Sequence, residues 1–113
     1  MAYVTKTSRP FVYGAFYVAG PLPPVEGRPY ALEILREYSA SEFIGKVYFN
    51  TPSGWTPMAP YMLAQQSWYA RTKRHGKLLF NMEGSGPWEV LHFREESDET
   101  GTYLAAALRR PTQ

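Results

Sequence analysis

The side chains best suited to chemistry lie between Trp68 and Lys77, in the run WYARTKRHGK. Trp68 and Tyr69 offer aromatic faces. Arg71, Lys73, Arg74, His75 and Lys77 follow as basic groups. Cations neutralise phosphates and aromatic rings stack on bases, so the combination suits a nucleic-acid contact. An acidic protein surface would fit it as well. The same residues also have purely structural uses: basic groups at a helix C-terminus complement its dipole, and Trp and Tyr fill cores. The acidic stretch Glu95 to Glu99 could fold back on this cluster and neutralise it.

Catalytic chemistry has little to draw on. The histidines are His75 and His92. Strand alternation would place His92 on one face with Trp88, Val90 and Arg94. There is no HExxH, P-loop or dinucleotide fingerprint. Gly84-Ser85-Gly86 reads as a hairpin turn. The chain has no Cys, which excludes thiol catalysis, disulfides and Cys-based metal sites. Two His without clustered carboxylates make no metal site, so no cofactor is expected.

A chain of 113 residues is one domain, 1–113, with enough length for a single core. Aromatics reach 16%, nine of them Tyr, which suit either a core edge or a contact surface. The net charge of +2 is too small to imply nucleic acid by itself. The opening MAYVTKTSRP has no apolar stretch of signal-peptide type, and no run is long enough for a membrane span. A soluble, cytoplasmic protein with no membrane partner is the expectation.

The elements that must position these residues centre on a repeat. Pro29 to Asn50 and Pro60 to Asn81, aligned without a gap, agree at Pro, Tyr, Leu, Tyr, Gly, Lys, Phe and Asn. Chance gives about 1–2 matches over such a length. The first copy carries Arg36 and Lys46 against Glu33, Glu37 and Glu42. The second carries Arg71, Lys73, Arg74 and Lys77 with no acid. Shared residues then read as scaffold, and unshared ones as specialisation.

Phe11 to Ala19 alternates apolar groups on both sides and reads as a strand covered on both faces, or as one whose second face waits for a partner. Gly14 marks a bulge or a close approach. Gly20 to Pro29 is a Pro-rich connector. Ala31, Ile34, Leu35 and Tyr38 have helical spacing, although Tyr30, Leu32, Ile34 and Tyr38 also alternate as a strand would. Strong helix propensity in ALEILRE favours the helix. Lys46 to Thr51 is a strand. Thr56-Pro57 opens a second helix, over Met62 to about Lys73, which Gly76 stops. Lys77 to Met82, Trp88 to Arg94 and Thr102 to Leu108 are strands, with an acidic turn from Glu95 to Gly101.

The order β-α-β-α-β-β-β predicts a two-layer α+β fold, with a mostly antiparallel sheet, two helices and an internal α-β duplication. The alternative is a mostly-β barrel or roll. The three closing strands and the paired Arg109-Arg110 loosely resemble the RelE-like ribosome-dependent mRNA interferases over Lys77 to Pro111. That resemblance would imply an RNA-cleaving toxin, with Arg94, Arg109, Arg110 and His92 as the residues to test. Those toxins place two consecutive helices before the meander, whereas here a strand intervenes.

The function expected from the sequence is a non-enzymatic protein-binding module: an inhibitor, adaptor or small assembly subunit. Another protein is the expected partner, contacted through Trp68, Tyr69, Arg71, Lys73, Arg74, His75 and Lys77. Aromatic and Arg side chains are the usual interface anchors. Tyr13, Tyr17, Trp55 and Trp88 are further candidates that sequence alone cannot sort between core and surface. Nucleic acid is the alternative partner for the same stretch, and self-association is a further option. Small size, lack of Cys and lack of a familiar motif suit a phage or mobile-element accessory protein.

Overall fold

A closed antiparallel β-barrel forms where the sequence predicts an α+β layer. The computed structural model describes residues 10–20 and 27–111. Its strands are β1 (Phe11–Val18), β2 (Tyr30–Ser39), β3 (Glu42–Thr51), β4 (Gly54–Pro57), β5 (Leu78–Met82), β6 (Gly86–Asp98) and β7 (Gly101–Arg109). A 3-10 turn (Pro60–Gln65) and one α-helix, α1 (Ser67–His75), join β4 to β5. The pairing order is β2-β1-β5-β6-β7-β3-β4, and a further β2–β3 pairing closes six strands into the barrel. Strand β4 stands outside the closed ring, on β3.

The expected first helix is strand β2. Leu32 is buried in the main core, with Tyr30 and Ile34 packed against that core. On the opposite face Ala31 is buried, and Leu35 joins a second apolar cluster with Ile44, Tyr103 and Ala105. A strand with both faces engaged, paired to β1 on one side and β3 on the other, buries more than an isolated amphipathic helix could. Tertiary pairing thus overrides the helix propensity of ALEILRE. The two sequence copies consequently build different units: a β-hairpin from Pro29 to Asn50, and a 3-10 turn, a helix and a strand from Pro60 to Asn81. An α-β duplication is not present in the structure.

Other boundaries moved for local reasons. Thr56-Pro57 belongs to β4, and the residue flanking α1 is Gln66, whose side chain makes no cap. Gly76 does end α1, with φ 85° and its N–H donated to Thr72 O. The acidic turn shortens to Glu99-Thr100, because β6 continues through Asp98. Asp98 Oδ1 accepts from the Thr100 N–H and hydroxyl, which makes the turn itself. The connector expected at Gly20 to Pro29 lies mostly outside the described residues.

Inside the barrel, Phe16, Val18, Leu32, Val47, Phe80, Leu104, Ala106 and Leu108 meet in one core. Gly14 is a close-approach point: a Cβ there would stand 2.2 Å from Asn81 O and 2.8 Å from the Phe80 ring. Two residues from the β4–β5 connection complete the interior. Met58 donates its N–H to Val47 O and accepts from the Leu104 N–H, stitching β3 to β7 beyond the last paired residues, Lys46 and Ala105. Trp68 stacks on Phe16 with ring centroids 4.5 Å apart and meets Tyr30 edge-on. Its indole N–H donates to Tyr30 Oη, which donates to Gln66 Oε1. Gln66 Nε2 in turn donates to Met62 O. Each polar atom in that relay has a partner, so α1 is fastened to β2 as well as packed on it.

Candidate binding surface

Strand alternation that fills the barrel also dictates what stands outside it. Tyr13, Ala31, Tyr48 and Pro57 are opposite one another on β1, β2, β3 and β4 and share the outer face. Ala31 is small and fully covered, so the larger side chains beside it can converge above β2. Phe11 and Tyr48 approach to 5.0 Å between centroids, Tyr13 and Trp55 to 5.4 Å, and Phe11 stacks beside Tyr13 at 6.3 Å. The Arg28 guanidinium lies 5.9 Å from the Tyr13 centroid and pairs with Glu83 at 3.1 Å. The four rings are half-buried. They form a continuous aromatic ledge on the outside of a barrel whose core is complete without them.

A polar cleft of about 410 Å³ adjoins the ledge at Tyr48. Lys46 is its centre. The residue is 6% exposed, and its ammonium lies 3.0 Å from Asp98 Oδ2 and 4.4 Å from the Tyr103 ring centroid. Thr100 and Lys46 together hold the Asp98 carboxyl well below its ordinary range, the Thr100 hydroxyl bond being the stronger cause. Glu96 accepts from Arg94 and Arg36 at 2.8 and 2.9 Å. Burial pushes the Glu96 carboxyl up, but the two guanidinium groups outweigh it and leave it lowered. Tyr48 donates to Glu33 Oε1 at 2.8 Å. Burial, reinforced by that hydrogen bond, pushes the Tyr48 phenol far above its usual value, so it stays a donor. Each of the cleft's cations, Arg36 and Lys46, is engaged with a carboxylate. The arrangement clamps the tip of the β6–β7 hairpin against β2 and β3 and fixes Tyr48 at the edge of the ledge.

The residues singled out between 68 and 77 divide. Trp68 is 6% exposed and is part of the core. Tyr69 is half-buried, edge-on to Phe93 with centroids 6.1 Å apart. Lys73, Arg74, His75 and Lys77 are exposed, and Arg71 is half-buried. The acidic hairpin does not reach them, because Glu96 and Asp98 are held by Arg36, Arg94 and Lys46. The basic half of that stretch is therefore surface, and the aromatic half faces inward.

Residues considered for a toxin are engaged elsewhere. Arg94 pairs with Glu96, Arg109 pairs with Glu89, and Arg110 lies 4.8 Å from the Trp88 ring centroid. A bulge between Val90 and His92 reverses the strand phase. His92 is thereby exposed, on the side away from buried Trp88 and Val90. Among the described residues no group of His, Asp or Glu is placed to hold a metal ion. No helix among them is long and apolar enough to cross a membrane.

Of the aromatics left unsorted by sequence, Tyr13 and Trp55 belong to the ledge and Trp88 to the core. Phe11, Arg28, Lys46 and Tyr48 were missed. The two-faced alternation of Phe11 to Ala19 was the available signal for the first of them. No protein-family model, curated protein or solved structure matches this chain.

Proposed function

We propose that the protein is a binding module that docks another protein on its outer aromatic ledge. The observation that carries this reading is the chain of half-exposed rings Phe11, Tyr48, Tyr13 and Trp55, assembled from β1, β3 and β4 around a covered Ala31. Aromatic groups flanked by Arg supply most of the energy in protein interfaces, and polar groups form the rim. The ledge has that composition: Arg28 with Glu83 at one border, and Glu33, Lys46 and Asp98 at the other. Both borders carry both signs of charge, which suits a protein surface of mixed polarity better than a polyanion.

Rigidity supports the same reading. The rings stand on paired strands, and Tyr48 is fixed by Glu33, so little side-chain freedom remains to be lost on docking. A photo-crosslinking benzophenone side chain placed at Tyr13 tests the reading in the native host. It should yield one discrete protein adduct, and the same group at Tyr38, which is 59% exposed on β2, should not. No adduct at Tyr13, or identical adducts at both positions, contradicts it.

A further inference from the structure

Charge in this chain is segregated. No Asp or Glu occurs between Glu42 and Glu83, and Arg71, Lys73, Arg74 and Lys77 fall inside that interval. By contrast, Arg28, Arg36, Lys46, Arg94 and Arg109 each pair with a carboxylate. Among the described residues none of the four cations at the end of α1 does so. The acidic hairpin that could have neutralised them is clamped to the β2–β3 side by Arg36 and Lys46.

We propose that the C-terminal end of α1, together with the turn into β5, is a contact for the phosphate backbone of nucleic acid. Arg71 and Arg74 are three residues apart and so are neighbours on the helix surface. Gly76 ends the helix in the left-handed conformation and returns the chain toward β5, so that Lys77 extends the basic surface past the last turn. The helix dipole attracts Lys73 and Arg74, but its effect fades within that turn. Lys77 lies beyond it.

Arg71 is the half-buried member of the four. Its Nη2 is shielded from solvent and has no hydrogen-bond partner among the described residues. Closed to solvent, that atom is closed to a phosphate as well, so the exposed Lys73, Arg74 and Lys77 carry the contact. Lys73, Arg74 and Lys77 are exposed and do not line the polar cleft at Lys46. A surface of spread cations suits an extended polyanion rather than a single enclosed phosphate. Trp68 is buried against Phe16, and half-buried Tyr69 is turned edge-on to Phe93, so the stretch lacks the row of open rings on which successive bases would stack. The contact therefore reads phosphates and not bases, and it is sequence-independent.

The test is fluorescence anisotropy of the full chain with labelled duplex DNA of two unrelated sequences, at 50 to 200 mM salt. Three phosphate contacts predict that affinity falls roughly 40-fold across that range. Lys73→Gln/Arg74→Gln should weaken binding to both sequences and lower the log–log salt slope by about 2. The charge-matched control Arg36→Gln/Arg109→Gln should leave the slope unchanged. Absence of binding by the unaltered protein at 50 mM salt overturns the proposal. So does a slope that responds equally in the two double variants.

Discussion

Phe11 and Tyr48 meet ring to ring, 5.0 Å between centroids, although they stand on strands β1 and β3 with β2 between them. They can do so because the outer face of β2 offers Ala31 beside both Tyr13 and Tyr48. Enlarging that residue should force the rings apart. Ala31→Leu is expected to cost about 1–3 kcal/mol through overpacking. Urea unfolding should show the loss as a lower midpoint with an unchanged slope.

A second expectation concerns the plug. Trp68→Ala removes the largest side chain of the β4–β5 connection from a site 6% exposed and should cost about 3–5 kcal/mol. Tyr30→Phe keeps the ring and deletes the hydroxyl between Trp68 Nε1 and Gln66 Oε1. Leaving those two groups unmet should cost about 1–3 kcal/mol. Equilibrium unfolding of the two variants should rank them in that order.

Gly14 gives a sharper test of the barrel seam. With a backbone oxygen 2.2 Å from the position of a Cβ, Gly14→Ala requires β1 and β5 to separate. The expected cost is about 3 kcal/mol, the upper end of overpacking. Gly84→Ala has open space around it but a φ of 85°, so its smaller loss would come from backbone strain alone.

Acid should loosen the hairpin clamp. Asp98 and Glu96 are both held below their ordinary carboxylate values. Groups lowered in the folded state contribute stability that is complete above the unfolded value and lost as pH falls through the folded one. Stability should therefore decline as pH drops below about 4, the ordinary carboxylate value. Asp98→Asn should flatten that decline. Lys46→Met should be milder than Asp98→Ala, which leaves the buried ammonium without its carboxylate. Thermal melts from pH 3 to 7 would show both effects.

Local chemistry was legible in the sequence where a single turn or strand decided it. Gly76 as a left-handed stop and Phe11 to Ala19 as a two-faced strand follow from residue type and alternation. The barrel did not follow, because β2 carries two compatible periodicities and only its pairing with β1 and β3 selects one. Matching residues at the head of each repeat copy therefore enter different elements: Tyr30 opens a strand, whereas Tyr61 lies in a 3-10 turn. The ledge was hidden for a related reason. Phe11, Tyr48 and Trp55 are far apart in sequence, and only the register across Ala31 brings them together. Trp68 drew attention by its basic neighbours, yet its face of α1 points into the core.

The most direct measurement is the dissociation constant of the crosslinked partner for the unaltered protein and for Tyr13→Ala/Trp55→Ala, with thermal melts as a folding control. Loss of two central aromatic anchors should weaken binding at least about 30-fold, the size of one interface hot spot, while the variant stays folded. An unchanged constant in a folded variant would contradict the ledge as the docking surface.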